Sequence, residues 1–305
     1  MIIVVGENVA DLIPAGGGLL RVALGGGPAN TAVAAARLGG AVGYAARFGA
    51  DSFAEQFRMR LAGAGVDLSA ARTVDAPSSV AVAAIDTAGV ARYDFWLNGA
   101  ADFGATDVES DLPDPSPGDI LHVGSLAGYW PPGADAIEAW LARWRDECTV
   151  TFDVNLRPVV LERQPDALDR LERLIRLAHV VKASDEDIAH AYPGSEFVQV
   201  ASAWLADGPE LVMLTHGGDG ASAHIVGRPP VLVGAPRIVV ADTIGAGDAA
   251  MAALLVQLAA RGRRAVRDDL GNALRYVCAT AAVACTRPGA YAPGPDEVMA
   301  MLGAP

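Results

Sequence analysis

Lysine is almost missing from this chain. Of the 23 basic residues, Lys182 is the one lysine and the other 22 are arginines. A P-loop needs a Gly-Lys pair behind its glycines, and Lys182 follows Val181, so a P-loop NTPase is excluded. Cysteine is scarce as well. Cys148, Cys278 and Cys285 form no CxxC pair and are too few for a disulfide framework. Cys278 and Cys285 stand seven apart in an Ala-rich helical stretch and read as small core residues on one face. Positive charge is in deficit, with a net charge of −13 and a pI near 4.7. That argues against nucleic acid as a partner, because a phosphate-tracking surface needs clustered Lys and Arg. Long apolar runs are absent too. The best, Ala249 to Val256, falls far short of the roughly 18–20 residues of a membrane span, so no membrane partner is expected. The opening MIIVVGENVADLIP carries Glu7 and Asp11 and no basic flank, so it is not a secretory signal, and a cytoplasmic protein is expected.

What is present is core material. Hydrophobic residues make up 52% of the 305 and charged residues 19%, which excludes a disordered chain. Met1 to Val5 reads as a buried first strand closed by Gly6. Pro28 to Leu38 reads as a helix, with Pro28 at its first position and Gly39 as its stop. Ser52 with Glu55 forms a capping-box pattern for a second helix to about Ala62. Runs at 79–85 and 90–97 are strand-like, separated by the turn sequence Asp86-Thr87-Ala88-Gly89. Farther on, strands at 120–123, 149–153, 179–182 and 211–215 alternate with helical stretches at 133–146, 166–177, 184–191 and 197–206. This alternation predicts βαβ units around a mainly parallel sheet. Strand runs at 221–226 and 231–234 then precede two Ala-rich helices, about 247–260 and 268–285. With no linker or repeat, the expectation is one α/β domain over 1–305. A small β element, contributed by about 9–24 and 78–100, would form a lid, and 113–118 would be a loop.

The strongest chemical signal is Asp242-Thr243-Ile244-Gly245-Ala246-Gly247-Asp248. Met251, Leu254, Leu255 and Leu258 follow at helical spacing, so Gly245 to Gly247 form a tight turn at a helix N-terminus. Free N–H groups and the positive end of the helix dipole make such a turn an anion site, suited to phosphate oxygens. Asp248 beside it is better placed to take a proton from a hydroxyl than to bind phosphate.

The string resembles the second signature, Asp-Thr-x-Gly-Ala-Gly-Asp, of the ribokinase-like, PfkB-type carbohydrate kinases. Weaker motifs continue the resemblance, in the family's order, over nearly the whole chain. It implies a ribokinase-like fold, with Asp248 as catalytic base and the Gly245, Ala246 and Gly247 amides stabilising the transferred phosphoryl group. Gly25-Gly26-Gly27-Pro28-Ala29-Asn30 looks like the first signature, and Asp11 like the family Asp that holds sugar hydroxyls. Gly26, Gly27, Asn30 and Asp11 are therefore implied sugar ligands. Asp153-Val154-Asn155-Leu156-Arg157 is similar to an Asp-x-Asn-x-Arg element of the fructokinase and ketodeoxygluconate kinase branches, implying Asn155 near the sugar and Arg157 near the transferred phosphate. Lys182, Ser184, Glu186 and Asp187 lie in a stretch similar to Lys-x-Ser-x-Glu-Glu. By resemblance Lys182 and Ser184 serve the nucleotide, and Asp187 or Glu186 serves Mg²⁺; Ser184 and Asp187 also read as a plain helix cap. Thr215, Gly217 and Gly220 match the Thr-x-Gly-x-x-Gly nucleotide turn, while His216 is given no catalytic part. Thr286 to Ala290 resembles the segment that completes a potassium-type site with backbone oxygens near Asp242 and Ile244.

Two departures stand out. Ala50 replaces a usual Gly, and Leu97 stands where those branches carry an arginine that can meet a substrate's polar end. Leucine cannot pair with a carboxylate, which turns the expectation towards a neutral sugar such as fructose. Trp96 would stack on the sugar ring. The implied activity is ATP-dependent phosphorylation of a primary hydroxyl, with Mg²⁺ and K⁺ as the implied cations and a homodimer formed through the lid. A 2-keto-3-deoxygluconate kinase, a nucleoside kinase and a non-catalytic sugar- or nucleotide-binding protein of the same fold are the alternatives. A dehydrogenase is excluded because Gly6 to Asp11 offers no GxGxxG.

Overall fold

The computed structural model describes residues 1–85, 91–103 and 112–303. Its centre is an eight-stranded sheet. The strands are β1 (Ile2–Val5), β4 (Val42–Ala45), β9 (Ile120–Gly124), β10 (Thr149–Asp153), β11 (Val180–Ser184), β12 (Leu211–Thr215), β13 (Ala221–His224) and β14 (Val231–Val233), in the spatial order β14-β13-β12-β11-β10-β9-β1-β4. From β12 to β4 every neighbouring pair is parallel; β13 and β14 close one edge antiparallel. Side chains alternate across the sheet: Ile2 and Val4 enter one apolar core, Ile3 and Val5 the other. A sheet covered on both faces needs apolar residues at every position, which is why β1 reads as an unbroken apolar run.

The helices that cover it are α1 (Gly27–Arg37), α2 (Ser52–Gly63), α3 (Gly133–Trp144), α4 (Pro158–Arg163), α5 (Ala167–Leu177), α6 (Asp185–Ala191), α7 (Phe197–Asp207), α8 (Ala246–Asp268), α9 (Leu270–Cys285) and α10 (Pro295–Leu302). The expected βαβ alternation is present throughout. At α2 the cap differs from the expected one. Asp51, extended at φ −126° and ψ 174°, accepts from the N–H groups of Phe53 and Ala54, so Ser52 is already helical. Gly262 breaks the helical geometry of α8, at φ 77° and ψ 158°, but the chain resumes helix beyond it to Asp268. Cys278 is buried and Cys285 half-buried, both as free thiols.

A second, four-stranded sheet stands over the C-terminal ends of the main strands. It comprises β2 (Val9–Gly16), β3 (Leu19–Gly25), β7 (Ser79–Ile85) and β8 (Ala91–Trp96) in the order β3-β2-β7-β8. These strands form a small sheet from the stretches 9–24 and 78–100, where a small β element was expected; the turn expected at 86–89 lies outside the described residues. β5 (Arg47–Phe48) and β6 (Arg72–Thr73) form a minor pair. Among the described residues no helix is long and apolar enough to cross a membrane.

Candidate active site

The N-termini of α1 and α8 carry no side-chain cap, and both open into one cleft of about 1610 Å³ between the sheets. By contrast, α2 is capped by Asp51 and α6 by a Ser184–Asp187 capping box. An uncapped first turn keeps its N–H groups for a ligand. At α8 the turn requires glycine: Gly245 sits at φ 77°, and a Cβ there would lie 2.8 Å from Ala290 Cβ. Ala246 N–H closes the turn onto the Thr243 carbonyl at 3.2 Å. Gly245, Ala246, Gly247 and Asp248 all line the cleft, and Gly247 and Asp248 stand in the first turn of α8, whose N–H groups have no intrahelical partner.

Asp248 is buried at the third position of α8, and its Oδ2 accepts from Asn30 Nδ2 at 2.8 Å. Gly27 joins the same cluster, since a Cβ there would lie 2.7 Å from Asn155 Nδ2 and 3.3 Å from Asp248 Oδ1. Gly26, at φ 93°, passes so close to the Glu7 carbonyl that a Cβ would reach 2.5 Å. Burial raises the Asp248 carboxyl above its ordinary range, opposed by the Asn30 hydrogen bond and the charges of Lys182, Arg157 and Arg60. Asn155 holds its place in a left-handed conformation at φ 36°.

Lys182, from β11, sends its buried ammonium to both oxygens of Asp153 at 3.0 Å. Burial works to lower this lysine, but the Asp153 and Asp187 carboxylates outweigh it and hold its proton firmly. The ammonium also lies beneath the anion turn: a Cβ on Gly247 would come within 3.1 Å of Nζ. Across the cleft, Asp11 on β2 is pushed up to about 6 by burial and drawn down by Arg157. Thr215, Gly217 and Gly220 line the far end of the cleft. Gly217 and Gly220 have positive φ, and His216 N–H bonds the Gly220 carbonyl at 2.8 Å. The His216 ring is tied to Asp185 at 2.6 Å and Ser222 at 2.8 Å.

The cation ligands divide. Both Asp187 oxygens are engaged by protein donors: Oδ1 by Leu156 N–H, and Oδ2 by the Ser184 N–H and hydroxyl, all at 2.7 Å. Ser184 and Asp187 are thus occupied as the helix cap, while Glu186 is exposed on the cleft wall. Among the described residues no three His, Cys, Asp or Glu side chains are grouped to hold a metal ion. Asp242 accepts from Ile244 N–H at 3.0 Å and from Gly289 N–H at 2.7 Å, so the 286–290 segment does lie against the 242–245 turn.

Two expectations in the lid need correction. Trp96 is 63% exposed and borders a separate shallow depression; Tyr93 and Phe95 line the main cleft instead. Leu97, just past the end of β8, turns inward and is 1% exposed in the core, so it meets no substrate. Arg21, Arg157 and Arg163 line the cleft, so the neutral-sugar expectation cannot rest on Leu97. Sequence reasoning also passed over Glu7, buried against the cleft, and Arg60, bonded to Asn30. Glu7 left a trace, an acid directly behind an apolar strand; Arg60, on an amphipathic helix, left none.

The family model for pfkB family carbohydrate kinases matches residues 1–297. A fructokinase of Klebsiella pneumoniae is 36% identical over 294 residues, covering 94% of each protein. The crystal structure of a Vibrio cholerae O395 fructokinase with fructose, ADP and calcium bound superposes with a TM-score of 0.88 at 28% identity, over 99% of this chain and 98% of that one. An aminoimidazole riboside kinase from Salmonella enterica, with aminoimidazole riboside and an ATP analogue, gives 0.86 at 26% identity over 99% of both chains. The chain belongs to the pfkB family of carbohydrate kinases. It is an ATP-dependent sugar kinase with a ribokinase-like fold, a phosphotransferase whose acceptor is a sugar hydroxyl.

Proposed function

We propose that this kinase phosphorylates a primary hydroxyl of a neutral ketose such as fructose. The observation that carries the chemistry is the convergence of Asp248, Asn30 and Gly27 with the uncapped first turn of α8. The fructose preference rests on the fructokinase relatives. In this reading Asp11, Asn30 and Asn155 hold the sugar's hydroxyls, and Asp248 takes the proton of the attacking one. The Gly247 and Asp248 amides, Lys182 and Arg157 stabilise the charge on the phosphoryl group as it moves in line, so catalysis is mostly positioning and electrostatics. The nucleotide lies along Ser184, Thr215, Gly217 and Gly220.

Mg²⁺ suits this site as an ion carried in by phosphates and water, a coordination that needs only one or two protein carboxylates. Glu186 is the side chain open to it, and the ion would neutralise phosphate charge. The carbonyl-rich turn around Asp242 and Ile244, closed by 286–290, suits K⁺. Leu19, Leu20 and Val22 expose apolar side chains on the small sheet, which favours a homodimer through the lid. ATP as phosphoryl donor fits a cytoplasmic enzyme.

The aminoimidazole riboside kinase likeness favours a second reading, a nucleoside-like acceptor. The test is ADP release from MgATP across fructose, other neutral sugars, 2-keto-3-deoxygluconate and nucleosides, with Asp248→Asn alongside. Fructose-dependent turnover that falls by several orders of magnitude in the variant supports the reading. Turnover that survives the substitution refutes Asp248 as base. Preference for a sugar acid or a nucleoside refutes the substrate class. Binding without any turnover would return the chain to a carrier of ligands.

A further inference from the structure

Arg60 lies on α2, outside every motif that marks the active site. Its Nη2 donates to Asn30 Oδ1 at 2.8 Å and its Nη1 to the Leu24 carbonyl at 2.8 Å. Asn30 Nδ2 in turn donates to Asp248 Oδ2 at 2.8 Å. A carboxamide accepts at one end and donates at the other, whereas a guanidinium only donates and a carboxylate only accepts. With a cation on one side and an anion on the other, one orientation of Asn30 makes both bonds and the flipped one makes neither. We infer that Arg60 is a positioning residue for phosphoryl transfer: it fixes the Asn30 carboxamide so that its N–H holds Asp248 Oδ2, leaving Oδ1, on the Gly27 side, to receive the proton. The same guanidinium anchors Leu24 near the end of lid strand β3, so the base and the root of the lid share one fastening.

The inference rests on Asp248 being the base. The groups facing Asp248 are Asn30 from α1, Arg60 from α2, Arg157 from the loop after β10 and Lys182 from β11, with Asp153 of β10 behind Lys182. Tyr44 of β4 faces Arg60. Losing the Arg60 cation lifts the Asp248 carboxyl further, so the acid limb of the kcat profile moves to higher pH. Losing the hydrogen bond that fixes Asn30 lowers kcat on the order of tenfold.

The experiment is a double-mutant cycle on the full chain: Arg60→Gln, Asn30→Ala and the double variant. Each is measured for kcat, for KM of sugar and of ATP, for pH profile and for thermal melting. Arg60→Gln should reduce kcat on the order of tenfold, leave KM for ATP within about twofold, and, at pH values above the acid limb where the direct charge effect on Asp248 no longer shows, cost little further in the Asn30→Ala background. Arg60→Lys, which keeps the charge but loses the two-pronged fork, should recover part of the loss. It also provides the readout if the glutamine variant does not fold. Unchanged kcat and an unmoved acid limb in folded Arg60 variants overturn the inference, whatever happens to the melting temperature. Additive losses in the double variant overturn it as well. If Asp248→Asn keeps its activity, the base assignment fails on its own; if it loses activity while the Arg60 variants do not, only the Arg60 inference fails.

Discussion

Glu7 offers a test of the site's electrostatics that does not depend on catalysis. Its side chain is 1% exposed; Oε2 accepts the Ala127 N–H at 3.0 Å, and Oε1 is buried. Burial pushes its carboxyl up from 4.5 to about 7, opposed by the Ala127 N–H and the Ser125 side chain and aided by the nearby Asp102 carboxylate. A carboxyl whose folded value is raised binds its proton more tightly in the folded state. Its stabilising effect is therefore present at low pH and is lost as pH rises through about 7. Gln can keep the bond from Ala127 N–H, and it cannot ionise. Each tenfold change in proton affinity is worth about 1.4 kcal/mol, so the ionisable side chain costs about 1 kcal/mol at pH 5 and about 3 kcal/mol at pH 8. Glu7→Gln should thus gain on the wild type by roughly 2 kcal/mol between those pH values. Urea unfolding of both proteins at pH 5, 6, 7 and 8, followed by tryptophan fluorescence, measures the gap directly. A gap that stays constant with pH, or narrows as pH rises, refutes the assignment of Glu7 as a buried, proton-holding acid.

Two further substitutions separate function from stability. Gly245→Ala puts a methyl group 2.8 Å from Ala290 Cβ at a φ of 77°, a backbone strain of about 1–2 kcal/mol before any clash. Steady-state kinetics should show kcat down at least tenfold, with melting lower by a few degrees; normal kcat would mean the turn's shape is not needed. Asp51→Ala removes acceptors for the N–H groups of Phe53, Ala54 and Ser78 and for the Ser78 hydroxyl. It should cost about 2 kcal/mol in urea unfolding while both KM values hold, because the cap lies outside the cleft.

Contiguous signals were legible in the sequence, and dispersed ones were not. The parallel sheet and its helices were legible because each element carries its own period and its own stops. The anion turn was legible because Gly245, Gly247 and Asp248 are neighbours in the chain, and a helix must follow them. Lid register was less legible. On β8 the cleft is lined by Tyr93, Asp94 and Phe95, and a reading anchored on Trp96 and Leu97 falls just past them. The cap of α2 was misread between adjacent Asp51 and Ser52, both good capping residues, since only the backbone conformation decides which one stands outside the helix. Arg60 was not legible. Its partners, Asn30 and Leu24, are 30 and 36 residues away, and an arginine on an amphipathic helix reads as solvated surface.

The solitary lysine now has a physical account. In this cleft burial pushes carboxyls upward: Asp11 to about 6 and Glu7 to about 7, with Asp248 raised as well. A base must be ionised to accept a proton, so a buried Asp248 needs cations near it. Arg60 stands behind its hydrogen-bond partner, Arg157 in front, and Lys182 beneath the turn. The third place is the narrow one. Nζ of Lys182 sits between the two Asp153 oxygens at 3.0 Å and the backbone of Gly247, where even a Cβ would come to 3.1 Å. A compact ammonium fits there; a planar guanidinium, wider and needing in-plane partners, does not. A chain that uses arginine for its other 22 basic residues therefore uses lysine where only a point charge can lie between the anion turn and the sheet.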